Sequence, residues 1–391
     1  METVPDVRLL VNAATITVGG GVQAAVSFIE YAARLGSAGP LFAAIVSEAV
    51  HKGLPGEMRS DPRIKVLSVS PAKLVRGMLA RKEILELEGT FRPHVVYSIG
   101  FPSYVKFQAP EVGRYTNGWE ICDFSLATKT LTLGERISRD IRSYYRRYWA
   151  RYARYFETQT EIARQGIIQK LNVRSDRILV LPNSVNHRFL TAGRCLERNT
   201  PNKPARVFCL SAGYRHKNLC IIGKVAEILA RRYNITCKFI LTLPRKDWSP
   251  IASDAERRGV LSYLDNIGPL TLDQCVEQYK LADCLFLPTL AEIFSVTYLE
   301  AMAMKVPIIT TDLDFAHDVC RDAAVYYDPL SAEAAASAIH SVLTDLSKWK
   351  DYIERGERRL RNFPDQETKY RILIDWLVEV AKKEKVRRSS P

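Results

Sequence analysis

Short apolar runs alternate with polar loops and with segments of helical spacing along nearly the whole chain. An apolar run of four to six residues bounded by turn residues reads as a strand buried on both faces. Arg8–Asn12, Leu41–Val46, Ile64–Ser68 and His94–Ile99 have that form, and Tyr152–Thr158 and Arg177–Leu181 close the first series. Val22, Val26, Ile29 and Ala33 recur at helical intervals over Val22–Leu35, directly behind Gly19, Gly20 and Gly21. Residues 186–205 turn polar and read as a linker, after which the pattern restarts. Arg206–Ser211, Cys237–Thr242, Cys284–Pro288 and Pro307–Thr311 read as strands. Leu219–Arg232, Leu272–Leu281, Val296–Met304, Ala332–Leu346 and Asp365–Lys385 read as helices. Strands alternating with helices imply parallel sheets with crossover helices. At 391 residues the chain suits two domains. The expected fold is α/β with two Rossmann-like domains, residues 1–190 and 191–364, followed by a helical segment, 365–391.

Composition narrows the setting. Hydrophobic residues make up 47% and charged residues 25%, ordinary for a globular protein. The eight cysteines include no C-x-x-C pair, and one, Cys209, sits in the apolar run Val207-Phe208-Cys209-Leu210, where a thiol acts as a small hydrophobe. That usage points to a reducing compartment, with neither a disulfide frame nor structural zinc. No apolar run reaches the roughly 18–20 residues a bilayer crossing needs, and the first residues lack a signal-peptide pattern. A cytoplasmic protein is expected. The net charge of +13 is uneven: residues 1–190 hold 26 basic and 17 acidic side chains, the remainder 30 and 26. The tail Ala381–Pro391 alone holds five basic and one acidic. A basic first half and a basic tail suggest an anionic partner on one side of the molecule. Nucleic acid is not that partner by this reading, because no nucleic-acid-binding module is recognisable.

The most informative stretch runs from Leu285 to Thr310 as strand, loop, helix, turn and strand. Glu292 falls in the loop and Glu300, eight residues on, inside the helix. The helix begins near Ser295, so its unpaired N–H groups and dipole make a seat for a diphosphate. Glu300, one turn below on the face of Val296 and Thr297, can accept hydrogen bonds from the vicinal hydroxyls of a ribose. Glu292 can do the same for hydroxyls of a sugar. Two glutamates near a helix start are ordinarily capping or surface residues. Here they span the strand-to-helix turn where doubly wound sheets bind ligands.

These residues resemble the group 1 (family 4) retaining glycosyltransferases of the GT-B architecture. The hallmark of that family, Glu-x7-Glu in a Pro-Ser-x-x-Glu-x-Phe-Gly…Glu-Ala-Met-Ala context, is matched by Pro288, Glu292, Phe294, Glu300, Ala301, Met302 and Ala303. Val306-Pro307-Ile308-Ile309, Ala323-Ala324-Val325-Tyr326-Tyr327-Asp328-Pro329, Asn266-Ile267-Gly268 and Tyr279-Lys280-Leu281-Ala282-Asp283 continue the likeness, which is strong over residues 177–345. It implies two domains facing each other across a cleft and a final helix returning to the first domain. It implies a donor site of Glu300, Phe294, Ser295, Val296, Gly268, Gly20 and Gly21. Glu292 and Lys217 are the expected catalytic residues, Lys217 standing where the family places a lysine against the diphosphate.

The chain departs from the family at four points. Ala212 replaces the family's arginine, and Arg215 is the expected substitute. Ser295 and Ile293 replace glycines, and Ile293 is expected to reshape the sugar pocket. The first-domain histidine is missing from Arg114–Glu120, which leaves Asn117 and Glu120 as acceptor-side candidates. The implied activity is transfer of a sugar from a UDP- or GDP-linked donor to a glycan or lipid-linked acceptor, by front-face substitution without metal or other cofactor. Asp312-Leu313-Asp314 is taken as a loop rather than a metal site. An epimerase of the same fold and a non-catalytic scaffold are the alternatives.

Glu135–Tyr155 holds seven arginines, five tyrosines and a tryptophan. Helical spacing puts Ile137, Ile141, Tyr144, Tyr148 and Tyr155 on one face. That face suits an anionic membrane surface, or else it packs on the sheet while the arginines are solvated. The basic tail favours a peripheral protein on the cytoplasmic face of a membrane.

Overall fold

A computed structural model of the chain describes residues 7–193 and 204–389. The first sheet holds β1 (Arg8–Ala13), β2 (Leu41–Ser47), β3 (Ile64–Leu67), β4 (Val95–Ser98), β5 (Glu111–Arg114), β6 (Tyr155–Thr158) and β7 (Ile178–Val180). The second holds β8 (Ala205–Cys209), β9 (Cys237–Leu241), β10 (Leu264–Asn266), β11 (Cys284–Leu287), β12 (Ile308–Thr311) and β13 (Ala324–Tyr327). Strand order is β3-β2-β1-β4-β5-β6-β7 in the first sheet and β10-β9-β8-β11-β12-β13 in the second. Every pairing is parallel. Both sheets are covered by helices, which is why Leu9–Val11 of β1, Val95–Tyr97 of β4 and the whole of β11 can be buried and apolar. The order reverses beside β1 in one sheet and beside β8 in the other, so loops after β1, β4, β8 and β11 diverge and leave a crevice.

The final helix, Gln366–Ser389, returns to the first domain, as expected. Tyr370, Leu373, Ile374, Leu377 and Val378 join Phe28, Tyr31 and Tyr97 in one core, with the Phe28 and Tyr370 rings edge to face at 5.5 Å. Arg154 Nη1 donates to Glu384 Oε2 at 2.6 Å and Tyr155 Oη to Glu384 Oε1 at 3.1 Å, fastening the end of that helix to β6.

Several boundaries differ from the expectation. The Arg/Tyr helix spans Leu133–Ala150, entered through a capping box in which Thr132 and Glu135 bond each other's backbone N–H. Tyr155 therefore does not lie on its face. It is a buried residue of β6, because Tyr152–Arg154 turn the chain back into the sheet. The other four residues of the expected face, Ile137, Ile141, Tyr144 and Tyr148, are exposed rather than packed on the sheet. The expected linker contains a short helix, His187–Thr191, capped by Asn186. The rest of that linker, residues 194–203 with Cys195, lies outside the described residues, as do 390 and 391 of the basic tail.

Candidate active site

The loop from β11 to the helix Val296–Ala303 packs across the domain boundary. Leu290 and Ala291 join Ala127, Trp119 and Phe124 of the first domain, and Ile293 joins Tyr115, Ile121 and Phe156. Two cavities result, one of about 610 Å³ and one of about 770 Å³, and Glu292 and Ile293 line both. Ile293 thus does more than line a pocket, since it holds the two domains together.

The larger set of expected residues meets at the first cavity: Gly20, Gly21, Glu292, Phe294, Val296 and Glu300 line it together. Ser295 is the N-cap of Val296–Ala303 and makes no side-chain capping bond; the Tyr298 N–H donates to the Ser295 carbonyl at 3.2 Å, and the N–H groups of Val296 and Thr297 are left for a ligand. Glu300 is partly buried one turn on. Tyr279 Oη donates to its Oε2 at 3.1 Å. Burial pushes its carboxyl up to about 7, against which the tyrosine bond pulls down. Lys217 comes from the turn after β8 and its ammonium donates to Glu292 Oε1. Thr289 Oγ1 donates to the same oxygen at 3.4 Å, and the backbone N–H of Leu290 to the carbonyl of His216 at 2.7 Å, so the two turns clasp each other. His216 lies edge-on to Trp119 at 5.8 Å. Burial and the neighbouring Lys217 charge hold its imidazole down to about 4, so it is neutral near pH 7.

Other expected residues fall elsewhere. Arg215 does not line the cavity with Glu300. Its Nε donates across the domain boundary to Glu135 Oε1 at 2.9 Å, and it lines the second cavity. Asn117 and Glu120 also line that cavity. Glu120 is buried, accepting from Asn117 Nδ2 at 3.0 Å and Tyr115 Oη at 3.3 Å, with Arg146 Nε 3.1 Å away. Gly268, at φ +79°, lies past the end of edge strand β10 and outside both linings. Asp314 begins the helix Asp314–Cys320 instead of continuing a loop, and Asp312 Oδ1 is 2.6 Å from His317 Nε2.

The first-domain wall of the first cavity holds polar residues that the sequence did not single out: Arg114, Arg146, Gln159, Asn183 and Lys369. Arg114 sat in view as the start of Arg114–Glu120, but no local pattern distinguishes a cation facing a cleft from one facing water.

Residues 197–359 match the model of a family described as glycosyl transferases group 1. Among characterised proteins, the O-antigen chain mannosyltransferase RfbU of Salmonella typhimurium is 25% identical over 205 residues, 51% of this chain. That match spans 54% of the relative, about half its length. A glycosyltransferase from Rickettsia africae superposes with a TM-score of 0.70 at 15% identity, over 97% of this chain and 99% of the other. HepE of Anabaena, solved with UDP-glucose, superposes with a TM-score of 0.68 at 13% identity, over 96% and 99%. At such identities the structures establish the fold, which is GT-B.

Proposed function

We propose that this chain, whose residues 197–359 match the model of the group 1 glycosyltransferases, transfers a hexose from a UDP- or GDP-linked donor to a glycan or lipid-linked acceptor, with retention and without a metal. The carrying observation is the convergence of Glu300, Glu292 with Lys217, and the uncapped start of Val296–Ala303 on one side of the cleft. RfbU is a mannosyltransferase and HepE was solved with UDP-glucose, which supports a hexose donor and a place in surface-polysaccharide synthesis.

Each residue then has a task. Glu300 accepts from the ribose hydroxyls. The helix start and Lys217 hold the diphosphate, which competes with Glu292 for the ammonium. Glu292, once released, accepts from hydroxyls of the hexose. As the bond from the anomeric carbon to the phosphate oxygen breaks, the acceptor oxygen bonds that carbon on the same face, and the departing oxygen takes the acceptor's proton. The negative charge growing on the diphosphate meets Lys217 and the helix dipole, and that is the protein's contribution to the barrier. His216, neutral and wedged against Trp119, adds no competing charge.

A thermal-shift and hydrolysis panel of nucleotide sugars, with and without chelator, tests the reading. One donor class should stabilise the protein and turn over equally in chelator. Glu300→Ala should weaken that donor by on the order of tenfold or more, the worth of charge-assisted hydrogen bonds. Unchanged affinity and turnover in Glu300→Ala would sink the site.

The acceptor side faces an anionic bilayer in this reading. No helix among the described residues is long and apolar enough to cross one. The helix Leu133–Ala150, however, exposes Leu133, Ile137, Ile141, Tyr144 and Tyr148 among its arginines. Beside it, the segment carrying exposed Leu74, Val75, Met78 and Leu79 is joined to it by Arg81, whose Nη2 donates to Tyr145 Oη at 3.1 Å. The bonds to Glu384 hold the basic end of the final helix against Arg154 and Tyr155, just past the end of Leu133–Ala150. Apolar side chains interleaved with arginine suit a headgroup layer, where the rings enter and the cations meet phosphate.

A further inference from the structure

Two cations line the first-domain wall of the cleft while almost withdrawn from solvent: Arg114 is 9% exposed and Lys369 is 6% exposed. They come from different ends of the chain, Arg114 from β5 and Lys369 from the first turns of the returning helix. Asn183, after β7, joins them: its Oδ1 accepts from Lys369 Nζ at 2.8 Å and from Arg114 Nη2 at 3.0 Å. One carboxylate faces the pair. Glu157, fully buried, lies 3.3 Å from Arg114 Nε and accepts from Tyr97 Oη at 3.1 Å. Arg114 Nε and Glu157 Oε1 have no hydrogen-bond partner among the described residues.

An ammonium offers three donors and a guanidinium five. Here the ammonium meets a single neutral amide oxygen, and the nearest carboxylate is already shared with Arg114. Burying a cation on such terms costs stability. Burial and the Arg114 charge push the Lys369 ammonium down to about 7, while Glu157 pulls it up. The charged groups that act on Lys369 are Arg114 and Glu157, so Glu157 supplies the one negative charge. A methionine would fill the position without that cost, since neighbouring residues of the same helix face, Tyr370, Leu373 and Leu377, are core. Both residues line a cavity large enough for a sugar, on the wall opposite the second-domain residues that seat the donor.

We propose that Arg114 and Lys369, joined through Asn183, form an anion site on the first-domain wall of the cleft that receives the acidic group of the acceptor, a phosphate or a carboxylate. Assigning that group to the acceptor rests on the transferase reading, whereas the anion site itself does not. Binding draws a proton onto Lys369, because an anion beside the ammonium raises its affinity for protons.

Calorimetry on the full chain at pH 7.5, with inorganic phosphate and with glucuronate as separate arms, tests this. The wild type should bind one of the two with proton uptake, visible as a heat that varies with buffer ionisation enthalpy. Lys369→Met should lose at least about tenfold in that affinity together with the uptake, yet melt at a higher temperature. Lys369→Gln, which keeps a polar end, should lose the binding too. A lysine that merely braces the fold would instead lower the melting temperature when replaced by methionine. Binding should persist with saturating nucleoside diphosphate. Displacement by the diphosphate would assign the cations to the donor seat, and equal binding by both variants, or none by the wild type, would equally overturn the proposal. The nucleoside diphosphate titration reports separately on the transferase reading, so the two can fail independently.

Discussion

Glu300 shows how function is written into one residue's discomfort. Its carboxyl is partly buried with a single tyrosine donor and is pushed up to about 7. A carboxyl whose folded value is raised favours the fold below its unfolded value near 4.3, and that contribution fades as pH rises through about 7. At pH 8 the folded protein therefore holds a poorly solvated charge, and a bound ribose relieves it. Glu300→Gln should stabilise the donor-free protein by roughly 1–3 kcal/mol at pH 8 and by much less at pH 5. Melting curves at the two pH values check this, and a destabilised variant at pH 8 would refute it. The Lys217–Glu292 pair makes the opposite case, because both partners are satisfied before the donor arrives. Glu292→Gln weakens the hold on Lys217, so nucleoside diphosphate should bind several-fold tighter. Transfer should meanwhile slow by about tenfold or more as the hexose loses a charged acceptor. Product-inhibition kinetics separate the two effects, and a loss of diphosphate affinity would show that Glu292 does not restrain the lysine.

Among the elements, the helix Leu133–Ala150 sets the sharpest expectation, since Leu133, Ile137, Ile141, Tyr144 and Tyr148 are left exposed on it. Replacing Ile141 and Tyr144 together by aspartate should abolish co-sedimentation with vesicles rich in anionic lipid while leaving the melting temperature within a degree or two. Both side chains are exposed, and exposed substitutions cost little. Retained binding would return this helix to a solvated surface. The same scale explains what the sequence made legible. Leu272–Leu281 was readable to the residue, because Thr271 and Gln274 form a capping box ahead of a clear apolar stripe. β5 was not legible, although all four of its residues are buried. Its Glu111 and Arg114 look like surface residues until Ser98 donates to one and Glu157 faces the other, and such partners arrive only with the tertiary fold. The donor side of the cleft was visible as a motif because one strand, loop and helix carry it. The opposite wall was not, since Arg114, Asn183 and Lys369 are drawn from three distant segments. The bond from Arg215 to Glu135 was not legible for a related reason: nothing near Arg215 in sequence announces Glu135 across the boundary.

For the whole molecule, the question is what holds the two domains in this closed arrangement, and magnitudes answer it. The Arg215–Glu135 pair bridges the domains, but its side chains are 56% and 42% exposed, so it is screened by solvent and salt and adds little. Ile293 is 6% exposed and packs among Tyr115, Ile121 and Phe156, and trimming such a residue to alanine costs about 2–5 kcal/mol. The contact exists only when the domains meet, so that cost falls on the closed form and not on either domain's core. A penalty of that size turns a closed form favoured a hundredfold into one in balance with the open form. Ile293→Ala should therefore enlarge the radius of gyration of the donor-free protein and raise the KM for the nucleotide sugar. Donor should restore the compact form, because it binds both sides of the cleft. Arg215→Ala should leave the radius of gyration unchanged and weaken donor by less than about threefold, the limit set by an exposed pair. Small-angle scattering with and without donor reads both variants. If Arg215→Ala instead cost donor affinity by tenfold while Ile293→Ala changed nothing, the arginine would leave Glu135 for the diphosphate during turnover, and the cleft would be held by charge after all.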